Sequence, residues 1–382
     1  MNDVATLDVT WRSALLLALI APTALIALRL MVQRTEAQAC RWLGLFLLVF
    51  CLDTVPQIIG FADAYQVWPW LTFAPLSYQA WFGPLIYFHA HALIRKTPLG
   101  WRWWLLAPGV VQLVYYIWAF TSLGDYQAKW RFTDVFHDPY ILPVQLSVSL
   151  GLTLMCGVAT WRMIRRYRRF LAETQSVAAE LDPSWLTRFL GAMSVAILCW
   201  LGYEVVDFFN GPLSYRARYP MFLVIGALFL WMGIEALARI RMSFVALGEP
   251  DVERVLEPPV PRAPDWQAVG QALQQRVIQE QWHLEPRLSM REVALRMGSN
   301  ETYVSRGLNQ GLGLNFNQMV NDVRVATAKT LMREAPQRQI LDVALAAGFN
   351  SKATFNRVFR DRCGTTPSAW RRAQDSETSQ VQ

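Results

Sequence analysis

Apolar residues are distributed very unevenly along the chain. Seven apolar windows follow one another through the first 241 residues, near 13–32, 42–61, 68–94, 103–122, 140–161, 186–209 and 219–238. Each is about 20 residues or longer, the length at which a helix rising 1.5 Å per residue crosses a hydrocarbon layer about 30 Å thick. Pro22, Pro56, Pro75, Pro84, Pro108 and Pro143 fall inside these windows. Membrane helices tolerate such prolines because neighbouring helices can satisfy the freed carbonyls. Past 241 the pattern changes. Leu256–Pro264 holds four prolines in nine residues, which predicts an extended spacer. Trp266, Val269, Leu273 and Val277 then recur at three- to four-residue steps, predicting an amphipathic helix. Every strong period is helical, so the expected fold class is all-α. A seven-helix transmembrane bundle (1–241) leads through a Pro-rich linker (242–264) to a soluble helical domain (265–372), and a disordered tail (373–382) follows.

Charge gives the bundle an orientation. Loops alternate between Lys/Arg-rich and Lys/Arg-poor, with 14 such residues in one set (among them Arg34, Arg95, Arg165 and Arg239) against 5 in the other (Arg12, Lys129, Arg131, Arg216, Arg218). The positive-inside rule then puts the N-terminus outside an inner (cytoplasmic) membrane and the C-terminal domain in the cytoplasm. Asp3 and Asp8 stand where a cleavable signal would carry basic residues, so the first window reads as an uncleaved span. Arg165-Arg-Tyr-Arg-Arg169 reads as an anchor against anionic headgroups. The whole chain carries a net charge of +7, and residues 264–372 hold 15 Lys/Arg against 9 Asp/Glu, a balance suited to a polyanionic partner.

Catalytic and metal chemistry is not indicated. The five cysteines form no C-x-x-C pair, and no H-E-x-x-H, nucleophile elbow or phosphate-binding glycine loop occurs. His89 and His91, two apart, fall on different helix faces. No catalytic residue, metal site or cofactor is expected, and the chain does not read as an enzyme. The polar residues worth singling out are Asp53 and Gln57 in the second window and Glu204 and Asp207 in the sixth. Spacings of four and three put each pair on one helix face, toward the outer half of the membrane. Ionisable groups there are costly, so they form a candidate pocket for a small ligand or a proton; interhelical polar contacts are the structural alternative.

The soluble part carries two helix-turn-helix patterns. In Ser289–Arg306 and Ile340–Arg357, a small residue (Ala294; Ala344) sits where two helices would cross closely. Four residues on, Gly298 or Gly348 permits a left-handed turn, and an apolar residue (Val304; Phe355) anchors the second helix. Ser289 and Glu292 form a capping-box pattern, and a helix-like run from Asn317 to Arg333 joins the two units. One Ala-x-x-x-Gly is weak evidence, whereas two about 50 residues apart are strong.

Leu288–Ala294, Tyr303–Arg306, Gly313–Phe316, Val323–Ala328, Gly348-Phe349, Phe355–Phe359 and Gly364–Arg371 together resemble the AraC/XylS family of transcription regulators. The resemblance covers roughly 265–372. It implies two helix-turn-helix units on a linking helix, with double-stranded DNA as partner and RNA polymerase as a further one. Carried over by position, the first recognition helix presents Glu301, Thr302, Ser305 and Arg306, and the second presents Lys352, Ala353, Asn356 and Arg357. The cupin-like sugar-binding domain of soluble members has no counterpart here, so sugar sensing is not implied. The combined expectation is a membrane-embedded regulator, contacting the lipid bilayer and pairing as a homodimer, that couples a membrane or extracytoplasmic signal to promoter binding. The alternative is a transporter or channel-like protein with an appended DNA-binding domain.

Overall fold

The computed structural model describes residues 10–62, 64–176, 178, 181–211, 214–239, 246–247 and 264–380. The architecture is helical, and no named strand occurs among the described residues. The chain divides into two compact units, one of residues 1–164 and 184–247, the other of 165–183 and 248–382. A boundary at 241 alone therefore misses 165–183, which group with the C-terminal unit.

The first unit contains helices α1 (Trp11–Met31), α2 (Ala37–Phe61), α3 (Ala64–Val67), α4 (Phe82–Ile94), α5 (Ala107–Ser122), α6 (Tyr126–Phe132), most of α7 (Leu142–Thr174), α8 (Ser184–Asn210) and α9 (Tyr219–Ala238). Six helical stretches are long and apolar enough to cross a membrane: 11–31, 37–61, 100–122, 126–174, 184–210 and 215–238. They coincide with six of the seven windows.

The third window, 68–94, behaves differently. Its helix α4 has 13 residues, about 20 Å at 1.5 Å per residue, so it falls short of the hydrocarbon thickness. Ahead of it the backbone turns irregularly through short 3₁₀ turns at Pro69–Leu71 and Gln79–Trp81. Proline and the restricted residue before it break the helix there. The freed backbone groups find side chains from three other helices. Asp53 Oδ1 on α2 accepts the Tyr78 N–H at 2.9 Å, and Gln112 Oε1 on α5 accepts the Ala80 N–H at 3.3 Å. Lys129 Nζ on α6 donates to the carbonyls of Trp70 and Thr72 at 3.4 and 3.1 Å. Irregular backbone removed from water needs protein groups to satisfy it in this way. Hydropathy sees the apolar average of the window and not these breaks. Helix α4 is buried along nearly all of its length, and His89 Nδ1 bonds the Ala39 carbonyl at 2.8 Å.

The second unit contains α10 (Trp266–Gln279), α11 (Met290–Arg296), α12 (Glu301–Arg306), α13 (Phe316–Glu334), α14 (Ile340–Ala346), α15 (Lys352–Cys363) and α16 (Pro367–Gln380). The linker lies outside the described residues except at 246–247 and 264. The tail expected to be disordered from 373 instead continues as helix to Gln380, after Pro367 at the first turn and a hydrogen bond from the Ala369 N–H to Thr366 Oγ1. Proline pre-sets φ for a helix start, which the composition of the tail alone does not reveal.

Candidate nucleic-acid interface

The C-terminal unit is built around two apolar cores strung on one helix. Leu273, Val277, Val293, Ala294, Val304, Phe316, Met319 and Val320 are among the residues of the first; Val325, Ala328, Val343, Ala344, Phe349, Phe355 and Phe359 are among those of the second. Helix α13 supplies both, its first half to one core and its second half to the other. The run expected at Asn317–Arg333 is this helix, one residue longer at each end. Asn315 and Gln318 close a capping box at its start, satisfying N–H groups that a helix end leaves unpaired.

Each core positions a pair of short helices. In the first, the Ser289 and Glu292 capping box fixes the start of α11, and Ala294 is buried where the helices cross. Gly298 turns the chain at φ +62°, Asn300 caps α12 through the Tyr303 N–H at 2.8 Å, and buried Val304 anchors that helix. In the second, buried Ala344 on α14 is followed by Gly348 at φ +88°. Ser351 then caps α15 through the Thr354 N–H at 3.2 Å, and Phe355 is fully buried. The two glycines occupy left-handed backbone, which side chains with a Cβ enter only at a cost.

Anchoring at Val304 and Phe355 sets which side chains face outward. Thr302 and Arg306 on α12 are exposed, while Glu301 and Ser305 are half-buried, Ser305 Oγ accepting from Asn309 Nδ2 at 3.1 Å. Arg306 lies over the Trp266 ring, 6.0 Å from its centroid. On α15, Lys352, Ala353 and Arg357 are exposed and Asn356 is half-buried. Sequence reasoning missed Arg360, exposed one turn beyond Arg357; its i, i+3 spacing on the same face was the available signal. Other basic groups are committed to the fold. Arg296 makes a bidentate pair with Glu285 at 2.6 and 2.8 Å, and Arg362 pairs with Asp322 at 2.9 Å. Among the described residues, Arg306, Lys352, Arg357 and Arg360 make no ion pair, leaving their charge available to a polyanion.

Two buried polar residues hold the cores in register. Arg324 is 1% exposed, and its guanidinium donates to the carbonyls of His283 at 2.7 Å and Glu285 at 2.7 Å. A buried charge needs such acceptors, since leaving it unpaired is costly. His283 is buried between the Val277 carbonyl (3.2 Å) and Thr327 Oγ1 (3.1 Å). Burial drives its pKa below the usual imidazole value, and the Arg324 charge acts in the same direction.

Of the polar residues singled out in the membrane-like unit, three gather around one turn and one stands apart. Tyr215 Oη donates toward Gln57, to its carbonyl at 2.9 Å and its Oε1 at 3.3 Å. Arg218 in the same turn, just before α9, pairs with Glu204 at 3.2 Å and with Asp207. Asp53 instead serves the Tyr78 backbone N–H.

Exposed basic side chains on two capped, glycine-turned helix pairs are an arrangement suited to a DNA-binding helix-turn-helix domain. Residues 293–373 match a family model described as a helix-turn-helix domain. An uncharacterized HTH-type transcriptional regulator of Staphylococcus aureus strain COL is 32% identical over 89 residues, 23% of this chain and 12% of that protein. Another from S. aureus is 30% identical over 100 residues, 26% of this chain and 13% of its own length. The transcriptional regulator Rob of Salmonella typhimurium strain LT2 is 29% identical over 93 residues, 24% of this chain and 32% of Rob. The chain thus matches only about an eighth to a third of the length of these relatives. No solved structure matches. The C-terminal segment of this chain is a helix-turn-helix domain of the AraC type.

Proposed function

We propose that the chain is a membrane-embedded, sequence-specific transcription regulator. The observation that carries the reading is the set of unpaired bases on α12 and α15, in a chain that also holds six helices long and apolar enough to span a bilayer. Large apolar side chains on the surface of the first unit, Leu25, Trp104 and Phe208 among them, suit contact with lipid tails. Buried α4 and the turns before it make the seventh crossing. With an odd number of crossings, the charge bias of 14 to 5 sets the N-terminus outside and the DNA-binding segment in the cytoplasm.

The pairs α11–α12 and α14–α15 act as two helix-turn-helix units that enter successive major grooves, about one helical turn apart. Arg306 and Arg357 read base edges, and Thr302, Ser305, Lys352, Ala353 and Asn356 line the contact; Glu301 favours a cytosine amino group. The signal, a small ligand or a proton, acts on Gln57, Glu204 and Asp207 around the turn Tyr215–Arg218, with Asp53 supporting the neighbouring backbone. That turn begins α9, the last span before the linker, so a change there reaches the output element. Pairing of two chains through their spans would present two such domains to one promoter, where RNA polymerase is the natural further partner.

Genome-wide occupancy by the full chain in its membrane supplies the target sites, and binding to them in lipid nanodiscs tests the reading. Arg306→Ala and Arg357→Ala should each weaken specific binding by about 1–3 kcal/mol, at positions about one helical turn apart. Unchanged affinity in both variants would overturn it.

A further inference from the structure

Residues 165–183 form part of the C-terminal unit, and the contacts that place them there are specific. The Ser176 N–H donates to the Leu288 carbonyl at 3.1 Å, and Gln175 forms an isolated antiparallel bridge with Ser289. Asn317 Nδ2, in the first turn of α13, donates to the carbonyls of Gln175 at 3.0 Å and Ser176 at 2.8 Å. That amide is held from behind, because Asn321 Nδ2, on a buried residue, donates to Asn317 Oδ1 at 3.1 Å. Arg324 Nη2 reaches Ser176 Oγ at 3.4 Å. Ser176 is 3% exposed and Thr174 8%. Three backbone groups of a two-residue stretch are thus matched by donors and acceptors of the DNA-binding segment. A buried peptide group costs free energy unless it is paired this completely.

We propose that Leu288, Ser289, Asn317 and Arg324 form a docking site for the chain's own Gln175-Ser176, giving the DNA-binding segment a second attachment besides the linker. Gln175 directly follows α7, which carries the fifth apolar window, and Ser289 is the cap of α11, the first helix of the first helix-turn-helix pair. A displacement at the end of α7 therefore acts directly on α11 and α13, without passing through the Pro-rich spacer. The docking contact itself does not depend on the membrane reading. Its use as a control point rests on that reading, so the two can fail separately.

The test uses the full chain in nanodiscs of phosphatidylethanolamine and phosphatidylglycerol. Directly opposed residues in an antiparallel pair have Cβ atoms about 4.5–5.5 Å apart, close enough for a disulfide after slight adjustment. Gln175→Cys with Ser289→Cys should therefore oxidise to an intrachain disulfide that neither single variant forms. Asn317→Asp provides a break that the fold tolerates. A carboxylate in the first turn of a helix suits the helix dipole, yet here it faces two carbonyl oxygens that need donors. Added to the cysteine pair, it should slow crosslinking at least tenfold and unprotect the Ser176 amide in hydrogen exchange. Absence of the disulfide in the parent pair, or an unchanged rate with Asn317→Asp, would overturn the dock. For the control role, the oxidised and reduced forms of the same cysteine pair should differ at least threefold in Kd for target DNA; a smaller difference would overturn that role. Recovery of the chain in the soluble fraction would refute the membrane reading, not the dock.

Discussion

Gly298 and Gly348 occupy equivalent turns, yet they should respond very differently to a single added methyl group. Both have positive φ, +62° and +88°. A Cβ at Gly298 would meet nothing within 4 Å. A Cβ at Gly348 would lie 2.4 Å from the His283 carbonyl oxygen, 2.8 Å from Leu284 Cα and 3.0 Å from Leu284 C. All three are backbone atoms that cannot swing aside. For Gly298→Ala, left-handed backbone costs about 1–2 kcal/mol, and the stiffer unfolded chain returns about 0.4–1 kcal/mol, leaving a net loss of about 1 kcal/mol. Gly348→Ala adds overpacking of about 1–3 kcal/mol, for a total of about 2–4 kcal/mol. The displaced carbonyl is also the one that accepts from Arg324 Nε at 2.7 Å, so relaxing the clash loosens a buried charge. Hydrogen exchange on the detergent-solubilised full chain reads the difference. Amides of α14 and α15 should exchange about 30- to 800-fold faster in Gly348→Ala, at about 1.4 kcal/mol per factor of ten, whereas Gly298→Ala should speed α11 and α12 only about fivefold. Equal effects of the two substitutions, or a Gly348→Ala chain within twofold of the parent, would refute the argument.

Two further outcomes are expected. His283 is held neutral by burial, so its folded pKa lies below its unfolded value near 6.5. In that window the unfolded state binds more protons, and stability is present above about pH 6.5 and lost progressively as pH falls below it. The Tm of the C-terminal unit should drop between pH 7.5 and 5.5, and His283→Gln should flatten that slope; a slope unchanged by the substitution would exclude His283 as its source. In the membrane-like unit, Glu204→Gln with Asp207→Asn removes both ion-pair partners of Arg218. Reporter output from a target promoter should then become fixed at one level with unchanged protein abundance; a normally expressed variant that still responds would eliminate the acidic pair as receiver.

The C-terminal fold was legible because its signals are local. Ser289 with Glu292, the two Ala-x-x-x-Gly spacings and the helix-like run from Asn317 to Arg333 each specify geometry within a few residues. The exposed faces of α12 and α15 followed from the buried positions of Val304 and Phe355. What escaped depends on partners distant in sequence. Asp53 drew attention as an acid in an apolar run, but nothing nearby indicates that the amide of Tyr78, 25 residues on, would claim it. Nothing beside Arg324 in the sequence indicates that carbonyls about 40 residues away enclose it. The basic run 165–169 suggested lipid headgroups, and its membership of the C-terminal unit became visible only with Gln175 and Ser176 in place. The third window kept its apolar average while Pro69 and Pro75 broke its helix.

Because α13 runs without interruption from one apolar core into the other, on the proposed reading it acts as a ruler between the exposed basic faces of α12 and α15. One inserted residue would rotate everything beyond it by about 100° and advance it by about 1.5 Å. The faces of α12 and α15 could then no longer meet the same side of a duplex. If both pairs bind DNA as proposed, the distance between the DNA segments they contact is written into the length of a single helix. Side chains on the exposed faces of α12 and α15 can be exchanged without altering this spacing, whereas insertions or deletions between Phe316 and Glu334 preserve it only in near-whole turns.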